Sequence, residues 1–295
     1  MSISKVIDRR PEPRPRLPPD TAASSPTPAV NPQVAKTILM CRPTHFEVTY
    51  EINAWMHKDD PVDPQLAMAQ WQGLRDIYAS LDYRVRLIEP VAGLPDMVFT
   101  ANGALVIDHK VMLPRFKHPE RQNETRRFEA WFSGHGYDTC MPRNEFEGEG
   151  DCLYAGGTIF AGYGFRSSRQ SHPELESFFD RPVVSLRLTD PRFYHLDTAM
   201  CPLTDDTLMY YAPAFDAESR GALQRHFRYL IEASEADAAG FGLNAVSDGQ
   251  RVVLSAAAVG LIERLTEHGL EPIGVSMTEF RKSGGAVKCC TLELR

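Results

Sequence analysis

The 295-residue chain has no apolar run approaching the length of a membrane-crossing helix, and no transmembrane span is predicted. It does not open with a charged segment followed by an apolar one, so export is not expected. Its six cysteines, Cys41, Cys140, Cys152, Cys201, Cys289 and Cys290, form no Cys-x-x-Cys pair, and its nine histidines supply no His-Glu-x-x-His. That spacing argues against zinc knuckles and small disulfide scaffolds, and nothing points to a metal or another cofactor. Reduced thiols in a cytoplasmic protein are the expectation. Basic residues are also short: 32 Lys and Arg face 39 Asp and Glu, for a net charge of −7. No basic block lies beyond the first residues. Neither nucleic acid nor an anionic membrane surface is therefore an expected partner, whereas a small cationic substrate suits the charge. Self-association is left open.

What is present is apolar mass and a skewed proline distribution. With 43% hydrophobic residues the chain can bury a full core. Eight of the 22 prolines fall within residues 1–32, separated by Arg, Ser, Thr and Ala. Such a stretch cannot bury enough surface to offset its ordering entropy, so 1–32 is predicted as a passive disordered tail and 33–295 as one domain.

Within that domain Thr37 to Cys41 is an apolar run of strand length, and Glu51 to Met56 reads as a loop. Asp63 precedes Pro64 as an N-cap precedes the first helical position. Ala67, Trp71, Leu74, Tyr78 and Leu81 then recur at helical spacing, and Arg84 to Ile88 returns as a strand. A helix between two strands marks an α/β protein.

A longer period follows. Val98 to Val106, Gly150 to Tyr154, Tyr194 to Ala199, Leu243 to Val246 and Val287 to Cys290 each read as a short strand carrying a polar or reactive residue. In the first four a second apolar strand follows: Lys110 to Leu113, Thr158 to Phe160, Thr207 to Tyr211 and Arg251 to Leu254. Asn102, Asp151, Asp197, Asn244 and Cys289 are spaced by roughly 45 to 49 residues, within the range of propellers and repeat arrays. Helices are predicted over 120–132, 217–239 and 256–268, the last stopped by Gly269. A unit of two strands, a helix and a further strand, recurring five times, predicts a ring of blades. The five polar residues would converge at its centre.

The last stretch carries the most reactive chemistry. Gly284 and Gly285 permit a tight turn or close approach to a ligand. On a strand, Cys289 and Cys290 would face opposite ways, so at most one can be a nucleophile and the other packs. Both could equally be small core residues.

Four motifs in order now resemble a known group: Leu94-Pro95-Asp96-Met97-Val98-Phe99-Thr100-Ala101-Asn102, Phe146-Glu147-Gly148-Glu149-Gly150-Asp151, His195-Leu196-Asp197-Thr198, and Gly284-Gly285 through Cys289. Over about residues 37 to 295 the chain resembles the guanidino-group-modifying enzymes of the amidinotransferase superfamily, in particular their dimethylargininase and arginine dihydrolase branch. The resemblance implies a five-bladed α/β propeller, the pentein fold, in agreement with the repeat count. It also implies that Cys289 is the nucleophile, His195 the general acid and base, and Glu147 the carboxylate that grips the guanidinium. Glu149 competes for that last role, because the acid falls four residues before Asp151 rather than the usual three. Asp197 matches a guanidinium-binding acid, and Asp96 and Arg121 match residues that hold the substrate's α-amino and α-carboxylate ends. Arg169 is expected beside Arg121, Asn53 lies in a loop resembling the dihydrolase branch, and Asp151 completes the substrate-binding set. Asn102 departs from the aspartate of dimethylargininases and deiminases and agrees with the dihydrolases.

The chemistry needs these types. A guanidinium carbon resists water, so a thiolate is called for, and an ordinary thiol must be ionised by a partner such as His195 or by the substrate's own charge. Carboxylates match the planar fork of guanidinium donors. His195 and Asp197, two apart on one strand, would share a face. Taken singly, each residue has an ordinary explanation: a structural histidine, a solvated acidic turn at 147–151, a turn cap at Asp96, an exposed helix start at Arg121. Their order favours a hydrolase acting on arginine or an Nω-methylated arginine through a Cys thiouronium intermediate, giving citrulline plus ammonia or a methylamine. The alternatives are an arginine dihydrolase that gives ornithine, ammonia and CO2, an amidinotransferase, and a non-catalytic ligand-binding propeller.

Overall fold

The two apolar segments at 37–41 and 84–88 pair in parallel, with Thr37 opposite Arg84 and Cys41 opposite Ile88. The computed structural model describes residues 36–295, so the tail predicted over 1–32 lies outside the described residues. The helix that joins the two strands, Pro64–Ser80, starts as its sequence requires. Asp63 accepts hydrogen bonds from the backbone N–H of Gln65 and Leu66, and Pro64 occupies the first turn, where its missing N–H costs nothing. Its apolar stripe of Ala67, Trp71, Leu74 and Tyr78 is fully buried against Phe280, Val287 and Cys290 of the last segment. Truncating Trp71 there would cost about 3–5 kcal/mol.

Among the described residues five three-stranded sheets have the same plan. In each, a first strand runs antiparallel to a second, and a helix returns the chain to a third strand parallel to the second. Leu105–Ile107, Lys110–Met112 and Asp138–Cys140 make one sheet. Cys152–Ala155, Thr158–Tyr163 and Val183–Arg187 make the next, followed by Met200–Pro202, Thr207–Tyr210 and Tyr229–Glu232. Val246–Ser247, Arg251–Ser255 and Glu271–Val275 form the fourth. The fifth joins distant parts of the chain: Leu292–Glu293 pairs antiparallel with Thr37–Cys41, Leu39 facing Leu292. The pseudo-fivefold repeat read from the sequence is present in this mixed α/β protein.

One expectation is corrected throughout. The polar residues do not stand on strands. Thr100–Gly103, Gly148–Asp151 and Leu196–Thr198 are single helical turns that precede the first strand of their sheets, and Cys289 lies in a turn before Leu292–Glu293. His195 and Asp197 therefore do not share a strand face; His195 is the N-terminal flank of a 3-10 turn that contains Asp197. Each turn lets a backbone segment only a few residues long aim a side chain sideways from the strand that follows. Two predicted helices are also divided. The 120–132 segment breaks into Pro119–Gln122 and Thr125–Gly134, and 217–239 into Ala217–His226, the strand Tyr229–Glu232 and Glu235–Ala239. The helix at 256–268 is observed as Val259–Glu267, with Gly269 at φ +78° just beyond it.

Hydrogen bonds tie each turn to the next repeat. Asn102 Nδ2 donates to the Glu147 carbonyl at 3.3 Å, Leu196 N–H to Asp151 Oδ1 at 3.2 Å, and Asn244 Nδ2 to the Asp197 carbonyl at 3.2 Å. Cys289 N–H donates to Asn244 Oδ1 at 3.1 Å, and Ala101 N–H to the Cys289 carbonyl at 3.0 Å. The last bond joins the fifth repeat to the first.

Candidate active site

A cleft of about 230 Å3, part of it open to solvent, takes Asn102 and Cys289 from these turns, whereas Glu147, His195 and Asp197 are not among its lining residues. Cys289, Asn102 and Asp96 line it, as do Asn53, Arg121 and Arg166. Two glycines allow the close approaches. Gly284 has φ +81°, and a Cβ there would stand 2.9 Å from both the Asn53 amide and the Tyr194 hydroxyl. Gly148 has φ +60°, and its Cβ would meet the Ala101 carbonyl at 2.5 Å. Only glycine fits either place.

Cys289 is buried, and its thiol donates to Asp197 Oδ2 at 3.3 Å while accepting from Asn244 Nδ2 at 3.1 Å. Burial, and then the Asp197 carboxylate, push this thiol well above its ordinary range, so it rests protonated. Burial likewise raises Asp197, to about 6, against the opposing pull of His195. Asp197 Oδ1 has no hydrogen-bond partner among the described residues. An open acceptor beside a buried thiol suits an incoming cation.

Glu147 is fully buried and faces the Arg166 guanidinium and the His195 imidazole. Its Oε2 lies 2.7 Å from His195 Nε2 and 3.1 Å from Arg166 Nη1. Burial alone would raise its carboxyl, but Arg166 and His195 outweigh burial and hold it far below the usual carboxylate range. An anionic Glu147 requires a donor at His195 Nε2, and His195 Nδ1 has no hydrogen-bond partner among the described residues. Lys117 N–H also donates to Glu147 Oε1, and the Ser167 hydroxyl accepts from the Glu147 N–H.

The competing carboxylate points elsewhere. Glu149 binds the buried ammonium of Lys288, the Arg295 guanidinium and the N–H of Glu293, a network that fastens the last strand. The geometry thus separates Glu147, which faces His195, from Glu149, which does not. None of the acids at 147–151 is solvated.

At the other end of the cleft Arg121 is 3% exposed and not an exposed helix start. Glu124 holds its guanidinium through two bonds of 2.9 and 2.8 Å, and Arg121 donates to Asn102 Oδ1 at 2.8 Å. Asp96 accepts from the Tyr50 hydroxyl at 2.9 Å and the Ser283 hydroxyl at 3.2 Å, with Arg121 Nε 3.9 Å away. Asn53 Nδ2 donates to the Ser283 carbonyl at 3.1 Å.

Three predicted binding residues, Arg169, Asp151 and Asp197, do not line the cleft. Arg169 is exposed and lies over the Tyr163 ring, outside the cleft. Arg166, not singled out from sequence, lines the cleft together with Arg121. It donates to Glu147 and to the Ile52 carbonyl and stacks 4.6 Å from the Tyr194 ring centre. The signal was a repeated interval: Arg121 reaches back nineteen residues to Asn102, and Arg166 nineteen to Glu147. Asp151 is buried, but both its oxygens accept backbone N–H groups, from Leu196 at 3.2 Å and Ser167 at 3.0 Å. It shapes the loops around His195 and does not line the cleft.

Comparison with known proteins gives consistent likenesses. The family model described as N,N dimethylarginine dimethylhydrolase, eukaryotic, matches residues 42–295. The N(G),N(G)-dimethylarginine dimethylaminohydrolase of Mycobacterium tuberculosis is 46% identical over 92% of this chain and 90% of its own. The bifunctional arginine dihydrolase/ornithine cyclodeaminase ArgZ of Synechocystis is 43% identical over 87% of this chain, which spans only 37% of that protein. The crystal structure of the N-terminal domain of ArgZ, a cysteine-to-serine mutant bound to substrate, superposes with a TM-score of 0.84 at 42% identity, covering 88% of this chain and 98% of that one. A citrulline complex of the Pseudomonas aeruginosa dimethylargininase, 19% identical with a TM-score of 0.75, shares the fold.

Proposed function

Because the chain belongs to the N,N-dimethylarginine dimethylhydrolase family, we propose that it hydrolyses the guanidino carbon of free arginine or an Nω-methylated arginine. In that reading it is a C–N hydrolase that forms a covalent intermediate on Cys289. The observation that carries the proposal is the pairing of a cleft-lining thiol with Asp197, whose second oxygen is open and which lies two residues from His195, itself bonded to Glu147. The five sheets are read as blades of a closed pentein propeller with the cleft at its axis; the bond from Ala101 N–H to the Cys289 carbonyl supports that closure.

The guanidinium enters between carboxylates, with Asp197 and Glu147 matching its planar donors. Its positive charge offsets the two effects that keep Cys289 protonated, burial and the Asp197 carboxylate. The thiol proton passes to His195, and the thiolate attacks the guanidino carbon to give a tetrahedral adduct. His195 protonates the departing amine as the carbon–nitrogen bond breaks, leaving a Cys289 thiouronium. Water, losing a proton to His195, adds to the same carbon, and collapse of that adduct breaks the carbon–sulfur bond. Citrulline is released with ammonia or a methylamine. Arg121 and Arg166 supply positive charge for the substrate α-carboxylate, and Asp96 a partner for its α-amino group. Six free cysteines among the described residues suit the cytoplasm, and no helix there is long and apolar enough to cross a membrane.

A second reading is favoured by one observation. Both Asn102 and Asn53 line the cleft, Asn102 standing where a strict dimethylargininase is expected to carry an aspartate and Asn53 in a loop that resembles the dihydrolase branch. An uncharged amide at Asn102 suits a citrulline-like product held for a second hydrolysis, which would yield ornithine, ammonia and CO2. Mass-spectrometric product analysis with arginine, monomethylarginine and dimethylarginine separates the two. Citrulline supports the first reading, ornithine without citrulline supports the second, and no turnover of any of the three contradicts both.

A further inference from the structure

Asn244 occupies the fourth position of the series Asn102, Asp151, Asp197, Asn244 and Cys289, and the steps above give it no task. It is fully buried and absent from the cleft lining. Its amide is fixed by two backbone groups on opposite sides. Oδ1 must face the Cys289 N–H, 3.1 Å away, because an N–H needs an acceptor. Nδ2 must face the Asp197 carbonyl, 3.2 Å away, because a carbonyl needs a donor. With both ends committed, the amide cannot flip, and the remaining Nδ2 proton is aimed at Cys289 Sγ at 3.1 Å. The Asn244 carbonyl also accepts from Lys288 N–H at 3.3 Å, so the residue grips the Cys289 segment through backbone as well as side chain.

We propose that Asn244 is a catalytic residue that orients Cys289 Sγ and, by hydrogen-bond donation, stabilises the thiolate once the thiol proton has left. The proposal rests on the reading of Cys289 as the nucleophile. The thiol's two side-chain partners have opposite effects. Asp197 accepts from the S–H and opposes its ionisation, whereas the Asn244 donor remains bonded to sulfur after the proton has gone and strengthens when the acceptor becomes an anion. The other titratable groups around the thiol are Tyr194 and Cys290, with His195 and Lys288 acting on Asp197, and Arg166 and the Asp96–Arg121 pair across the cleft. None of them changes when Asn244 is replaced.

The test is the pH dependence of Cys289 alkylation by iodoacetamide in the full chain, read by mass spectrometry of the terminal peptide so that Cys289 and Cys290 are scored separately. Two variants are compared with wild type, Asn244→Ala and Asn244→Asp; the second keeps the shape and the acceptor for Cys289 N–H. Loss of the donor is expected to raise the alkylation midpoint by about one pH unit and lower kcat about ten- to hundredfold, with KM within about threefold because the cleft lining is untouched. A wild-type midpoint and a kcat within about twofold in folded Asn244→Asp would overturn the proposal. Asn244→Asp also adds a carboxylate beside the sulfur, which raises the midpoint by charge alone, so only an unchanged midpoint is decisive in that variant; if Asn244→Ala does not fold, uncharged Asn244→Val takes its place. Cys289→Ser is assayed in parallel: turnover by that variant defeats the nucleophile reading itself, an outcome separate from a null result at Asn244.

Discussion

Asp197 Oδ2 accepts the Cys289 thiol proton at 3.3 Å, and the two groups share a fully buried place. A thiolate and a carboxylate cannot both stand there without a cation, so the resting site is neutral at sulfur and waits for a guanidinium. Its reactivity is tied to occupancy, and reaction of the free thiol with other electrophiles is suppressed.

The first consequence concerns the thiol. Asp197→Asn removes the negative charge that raises it, so the alkylation midpoint of Cys289 in the free enzyme is expected to fall. Turnover should fall as well, by about 10²-fold or more, because the guanidinium loses a carboxylate partner. A midpoint that rises or stays fixed in this variant would contradict the assigned role of the carboxylate.

The same substitution has a pH signature in stability. Burial raises the Asp197 carboxyl from 3.8 to about 6 in the folded protein. The folded state therefore binds the proton more tightly, and its stabilising contribution is lost as pH rises through about 6, by roughly 3 kcal/mol in all. Asp197→Asn should accordingly be more stable than wild type at about pH 8, with the advantage disappearing below about pH 4. Urea midpoints at the two pH values measure this directly.

Glu147 behaves in the opposite sense. Its carboxyl is held low by Arg166 and His195 against burial, so its contribution is present above its unfolded value of 4.5 and fades as pH falls below it. Glu147→Gln should be less stable than wild type near neutrality, with the gap narrowing in acid. A gap of constant size from about pH 7 to about pH 3 would rule out the ion pairs described here.

The two glutamates can be told apart by activity. Glu147→Gln is expected to lower kcat by about 10²- to 10⁴-fold, as loss of a general acid–base partner does. Glu149→Gln should lower stability by about 1–3 kcal/mol, since Lys288 and Arg295 lose one carboxylate but keep Glu293, with kcat of the folded fraction close to wild type. Steady-state kinetics beside thermal unfolding distinguishes these outcomes, and the reverse pattern would reassign the guanidinium carboxylate.

Arg166 and Arg169, three residues apart, should differ sharply. Arg166→Ala is expected to raise KM about tenfold or more and to lower kcat by freeing Glu147, whereas exposed Arg169→Ala should change neither parameter by more than about twofold. Equal effects at the two positions would remove Arg166 from the cleft.

Much of this arrangement could be read from residues alone, for identifiable reasons. Thr37 to Cys41 and Arg84 to Ile88 are bounded apolar segments, and Asp63-Pro64 is a helix start with its own hydrogen-bonding logic; each lies where its chemistry puts it. The polar segments misled because four residues rich in small or branched side chains carry no helical period, and tertiary hydrogen bonds such as Ala101 N–H to the Cys289 carbonyl decide their conformation. Residues 217–239 read as one helix because nothing in Phe227-Arg228 forbids continuation; the pairing of Tyr229 with Thr207 ends it. Local sequence could not rank Glu147 over Glu149 or Arg166 over Arg169, since the choice depends on which residue reaches His195 or Ile52 across the fold. Asn244 was visible as a member of the series, but its task depends on a contact with sulfur 45 residues away.

The central claim is that Cys289, and not its neighbour, forms the bond to the guanidino carbon. Incubating the protein with a haloacetamidine and fragmenting the terminal peptide tests it most directly. The account predicts a single amidine adduct on Cys289, none on Cys290, protection by excess arginine, and no adduct in Cys289→Ser. An adduct on Cys290 alone, or full turnover by Cys289→Ser, would contradict it.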